Sequence, residues 1–83
     1  MLSSNQIRAA RALLGWSGTD LANLSGVGIT TLRRYELQKG IPSANTTVLM
    51  TIKQTLESAG IEFTGDPLIN PGVTLRLAEV KKT

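Results

Sequence analysis

The sequence predicts a mainly α domain of four to five short helices closed by a small two-stranded β element, and three observations carry that expectation. Between Ser4 and Ala59 apolar residues recur at helical spacing in segments bounded by serine and glycine. After Gly60 the pattern switches to strict alternation of apolar and polar residues. The chain has 83 residues, 41% of them apolar and 18% charged, with only three aromatics, so it holds one compact core built from aliphatic side chains.

The elements follow in order. "SNQIRAARALLGW" from Ser4 is rich in helix formers, places Ile7, Ala10 and Leu14 on one stripe and meets Gly15 as its stop. Ser17 opens "SGTDLANLSG" with Asp20 three residues on, a capping-box-like start to a short second helix from Gly18 to Ser25, whose Leu21, Ala22 and Leu24 suit a half-buried element. Gly26 ends that helix, Val27 is trapped in the turn, and Gly28 stands as N-cap of a third helix from Ile29 to about Gln38. "KGIPS" breaks it. Ser43 is expected to cap a fourth helix, Ala44 to Ala59, in which Leu49, Ile52, Leu56 and Ala59 recur at helical spacing and four threonines lower the intrinsic propensity. "IEFT" and "VTLRL" read as two strands joined by the eight-residue turn "GDPLINPG", with Ile61 and Phe63 on one face and Val73, Leu75 and Leu77 on a face of the same kind. The final "EVKKT" reads as a frayed end.

Composition narrows the function. There is no cysteine and no histidine, which removes disulfides, thiolate metal sites, the commonest general base and the commonest zinc ligand. Enzyme activity, a metal site and a cofactor are therefore not expected. No apolar run is long enough for a membrane span, and no signal peptide is legible at the N-terminus, so the expected location is the cytoplasm. The net charge is +3. Arg8, Arg11, Arg33, Arg34 and Lys39 face only Asp20 and Glu36 in residues 1–40, so the whole excess lies in the first half, where a polyanionic partner would be met.

The stretch "LSGVGITTLRRYE", Leu24 to Glu36, poses the functional question. A dinucleotide fingerprint needs a strand before the first glycine and a third glycine at the sixth position; here the preceding segment is helical and the sixth position is Thr31. A phosphate-binding P-loop fails for want of its lysine-serine or lysine-threonine pair. A short helix, a glycine-containing turn and a second helix with one buried and one polar face are what a DNA-reading helix-turn-helix requires. At about 100° per residue from Ile29, Leu32, Tyr35 and Glu36 fall near 300°, 240° and 340°, while Arg33, Thr30 and Arg34 fall near 40°, 100° and 140°. Glu36 thus lies on the inward side, where a carboxylate needs a partner; Arg11 is the candidate, and the alternative is that both lie at a solvated rim.

"IRAARALLGWSGTDLANLSGVGITTLRRYELQKGIPS" resembles the Cro/C1-type, lambda-repressor-like helix-turn-helix family of small bacterial and phage regulators. The likeness spans about Asn5 to Ala59 and rests on "ARALLGWS", on Leu21 and Ala22, on Gly26 in the turn, on Leu32 and Glu36, and on "KGIPS" before a fourth helix. It implies double-stranded DNA as partner and an interior Arg11–Glu36 ion pair. The tail "LESAGIEF … PGVTLRL" resembles one carried by a subset of small members. Three positions depart from the pattern: Gly18 stands where a glutamine commonly touches phosphate, Gly28 where serine is common, and Ile29 where a polar base-reading residue is common.

The expectation is a sequence-specific transcriptional regulator, with residues 1–60 as the DNA-binding domain and 61–83 as a β extension. Ile29, Thr30, Arg33 and Arg34 are the candidate base readers, with Arg34 first for guanine and Ile29 for a thymine methyl. Ser17, Gly18 through its backbone N–H, Thr19, Thr31, Lys39, Gly40 and Asn45 are candidate contacts to the DNA backbone. Tight binding calls for a homodimer, with Ile61, Phe63, Val73, Leu75 and Leu77 as the candidate dimerisation residues unless they only cover the core of their own subunit. The alternative is a protein-interaction module, an antitoxin or phage anti-regulator whose partner is a toxin or another regulator; an adjacent toxin-like reading frame would discriminate them.

Overall fold

The computed structural model describes residues 2–43 and 45–77. Among these residues four helices, α1 (Ser4–Leu14), α2 (Gly18–Ser25), α3 (Ile29–Leu37) and α4 (Thr46–Ser58), precede two antiparallel strands, β1 (Ile61–Thr64) and β2 (Gly72–Leu75).

Local chemistry sets the helix ends. The Ser3 hydroxyl accepts the Gln6 N–H while the Gln6 side chain accepts the Ser3 N–H, each at 3.1 Å, so α1 opens on a capping box. Gly15 closes it in the left-handed conformation. Ser17 and Asp20 form the second capping box, at 2.9 and 3.0 Å. Expectation and structure part at α4. Asn45, not Ser43, is its N-cap: the Asn45 Oδ1 accepts the Thr47 N–H at 2.8 Å, whereas the Ser43 N–H is tied back to the Gln38 Oε1 at 2.8 Å. The helix is described from Thr46, and Ala44, expected as its first residue, lies outside the described residues. Inside α4 the hydroxyls of Thr51 and Thr55 bond back to the carbonyls of Thr47 and Thr51, which satisfies polar groups of poor helix formers.

The ribbon also differs in detail. Ile61 pairs with Leu75, Phe63 with Val73 and Thr64 with Gly72. The second strand thus begins one residue earlier than expected and ends at Leu75, leaving Leu77 outside the ladder, and the connection runs from Gly65 to Pro71. Gly72 fits that pairing because a Cβ there would stand 2.4 Å from the Thr64 Oγ1. Gly60, which turns the chain from α4 into β1, has φ +108° and no room for a side chain, with the Arg76 carbonyl 2.6 Å from where a Cβ would lie. The expected fraying of "EVKKT" lies outside the described residues.

One core joins these elements. Leu2, Ile7, Ala10, Leu21, Leu32, Tyr35, Leu49, Ile52, Leu56 and Ile61 are buried together, and Leu14, Val27, Phe63, Val73 and Leu75 pack on them from half-buried positions. β2 lies against α1 and β1 against α4, with the Gln6 amide donating to the carbonyls of Gly72 (3.2 Å) and Thr64 (3.4 Å) at the turn end of the ribbon. Leu24 is a correction to the expected inner face of α2, being exposed. It stands about 160° around the helix from the buried Ala22. Among the described residues no helix is long and apolar enough to cross a membrane.

Candidate nucleic-acid interface

The turn between α2 and α3 is made by backbone geometry. Gly26 takes φ +77° and donates its N–H to the Ala22 carbonyl at 2.9 Å, a conformation that L side chains rarely adopt. The Ser25 hydroxyl accepts the Val27 N–H at 3.2 Å, and Val27 packs half-buried against the core, so the angle between the two helices is held from both sides. Gly28 caps α3 without a side-chain hydrogen bond. A Cβ added to Gly18 would lie 3.5 Å from the Ile29 Cδ1, which places the first turn of α2 directly beside the first residue of α3.

The inner face of α3 is Leu32, Tyr35 and Glu36, all buried. Glu36 meets Arg11 of α1 in a two-point contact: Arg11 Nε donates to Oε2 at 2.9 Å and Nη2 to Oε1 at 2.7 Å. Arg11 also donates to the Trp16 carbonyl at 3.1 Å. The hydrogen bond to Glu36 raises the Arg11 pKa further above its already high value against the opposing effect of burial. Two more contacts fasten the end of α3 to α1. The Ser4 hydroxyl donates to the Tyr35 carbonyl at 2.6 Å, and Arg8 donates to the Glu36 carbonyl while also holding the Asn5 side chain.

The outer face carries Thr30, Arg33 and Arg34, all exposed, with Ile29 half-buried at the N-terminal tip. The Arg34 guanidinium leans over the Tyr35 ring, 5.9 Å from its centroid, a resting position whose release costs about 0.5–1 kcal/mol. Because Arg11 engages Glu36, the sole acid of α3 leaves its outer face purely cationic.

The candidate backbone contacts lie on several different elements. Ser17 and Thr19 are exposed at the start of α2, where Asp20 already engages the Ser17 N–H and leaves the first-turn N–H groups of Gly18 and Thr19 without a helical acceptor. Thr31 is half-buried and Lys39 exposed; the Gly40 carbonyl accepts the Ser4 N–H at 2.8 Å; Asn45 is exposed but its side chain caps α4. Of the ribbon residues, Ile61 is buried, Phe63, Val73 and Leu75 are half-buried against the core, and Leu77 is exposed.

Two residues escaped the sequence reading. Arg8 lies across the end of α3, a contact between helices that periodicity within either helix does not reveal. Leu37 is 84% exposed on the same face as Thr30, seven residues on, and that spacing is the signal that marks it. Arg8, Arg33, Glu36 and Leu37 line a shallow cleft of about 370 Å³ between α1 and the end of α3.

Comparison with known proteins bears on this arrangement. No curated protein matches the chain. A family model described as "Helix-turn-helix" matches residues 7–49, from α1 through α2, the turn and α3 into the first turn of α4, just over half of the chain. The chain belongs to the Cro/C1-type helix-turn-helix family of DNA-binding domains.

Proposed function

We propose that this protein is a sequence-specific double-stranded DNA-binding transcriptional regulator acting in the cytoplasm, with α3 in the major groove. The observation that carries the reading is the composition of the outer face of α3, where Thr30, Arg33 and Arg34 project beside Ile29 with no exposed acid on the helix. Arg34 is the leading guanine reader, through O6 and N7. Gly18 and Thr19 offer backbone N–H groups to a phosphate at the positive end of α2, next to Ile29.

Selection of bound duplexes from a random pool tests this reading. Wild-type protein is expected to enrich a short motif, and Arg34→Ala to lose about 1–3 kcal/mol at one base position only. Uniform weakening across sequences, with the salt slope reduced by about one, would make Arg34 a phosphate contact. Absence of any enriched sequence at low salt would overturn DNA reading itself.

One such domain covers only a few base pairs, so the functional unit is a homodimer with half-sites about 34 Å apart. The ribbon is the candidate pairing element. Its apolar face of Ile61, Phe63, Val73 and Leu75 is turned to the subunit's own helices, which leaves the strand edges and the exposed Leu77 for a second copy. Leu77→Asp is expected to weaken the dimer at least ten-fold in sedimentation without changing the thermal midpoint of the monomer. An unaltered dimer would exclude this surface.

A further inference from the structure

Granted the duplex-reading role proposed above, we infer that Leu37 is a base-reading residue that packs against a thymine methyl at the far end of the site from Ile29. The position supports it first. Measured around α3 from Ile29, Leu37 stands near 80°, between Arg33 near 40° and Thr30 and Arg34 near 100° and 140°. It is therefore at the centre of the outer face, and it is the most exposed large apolar residue among those described.

The chemistry of its neighbours chooses the occupant. Exposing a leucine at this level leaves nearly all of its apolar area in water, and none of the described residues covers it. Arg33 shares the cleft beside it with Arg8, and Glu36, the acid nearest in sequence, is engaged by Arg11. An apolar side chain set among guanidinium groups suits a partner that is polyanionic overall yet presents a methyl at the point of contact. The major groove has that composition: phosphates flank it, and the thymine C5-methyl is the apolar mark in its pattern of donors and acceptors.

The spacing makes the inference specific. Ile29 and Leu37 are eight residues apart, about 12 Å along the helix, which corresponds to three to four base steps. Two apolar side chains thus bracket the arginines, and the half-site should carry a thymine at each end of a short segment that includes guanine. Arg33, turned into the cleft with Arg8, is then placed for the phosphate next to the Leu37 contact, and Arg34 for the guanine.

The experiment is duplex selection with wild type and Leu37→Ala, followed by replacement of each thymine of the selected site by deoxyuridine, which removes only the methyl. The wild type is expected to lose about four-fold in affinity at one thymine three to four steps from the one paired with Ile29. Leu37→Ala is expected to be indifferent to that replacement, to relax selection at that position alone, and to remain sensitive at the Ile29 thymine. Because Leu37 is so exposed, Leu37→Ala should melt with the wild type, and matched thermal midpoints establish that both are folded. Selection by the wild type with an unchanged motif for Leu37→Ala would overturn the role of Leu37 and leave the DNA-reading role standing. So would an equal deoxyuridine penalty in both proteins, and so would a variant that loses only a protein partner. Failure of the wild type to enrich any sequence would instead remove the DNA-reading role and this inference with it.

Discussion

Glu36→Ala is expected to lower the free energy of unfolding by about 2–4 kcal/mol in urea denaturation. The substitution removes both acceptors of Arg11 and leaves a guanidinium facing the interior with only the Trp16 carbonyl. The Arg11 side chain keeps 22% of its surface exposed, so water takes up part of the abandoned charge and the loss stays below the upper range for fully buried pairs. Glu36→Gln, which keeps one acceptor, should lose about half as much. Replacing both residues with methionine should restore most of the stability, because the penalty arises from an unpaired charge rather than from the absence of a pair. A change below about 0.5 kcal/mol for Glu36→Ala would place the pair among exposed ion pairs that contribute little.

Truncation after Gly60 is expected to abolish cooperative unfolding, or to lower the thermal midpoint by about 20 °C or more. The ribbon supplies the buried Ile61 and the half-buried Phe63, Val73 and Leu75 to a core that α1 and α4 cannot close without them. Their joint contribution is on the order of 5 kcal/mol, comparable with the whole stability of a domain of this size. The same cut removes the two carbonyls that accept from the buried Gln6 amide. Calorimetry of the fragment 1–60 checks this. A sharp transition near that of the full chain would show the helices to be a self-sufficient unit and the extension to be an appendage.

The helix boundaries were legible because capping chemistry is local: Ser17 with Asp20, and Gly15 and Gly26 in the left-handed conformation, lie within one turn of the ends they define. The start of α4 was less so, since Ser43 and Asn45 are both good caps by residue type, and it is the Asn45 side chain that accepts the Thr47 N–H. The inward side of Glu36 followed from angle alone. Its partner Arg11, named as the candidate and implied by the family resemblance, meets it in the structure, although periodicity itself carries no information between helices. Leu24 misled because its distance from Leu21 is a helical one, although on an eight-residue helix the inner arc is too narrow to include both Ala22 and Leu24. Alternation in the ribbon showed which face is apolar and could not show that α1 and α4 lie under it.

The fastening of α3 to α1 has an entropic consequence. Ser4, Arg8 and Arg11 hold the helix along its last turn while Val27 and the Gly26 turn hold its beginning, so the helix has little freedom to rock against the rest of the domain. In the docking on DNA proposed above, a surface held in this way loses little conformational freedom. On the proposed reading, what remains to be ordered is confined to the tips of Arg33, Arg34 and Leu37. In a chain this small, with so little interaction surface to spend, a rigid reading helix turns most of each contact into affinity instead of into the work of ordering itself.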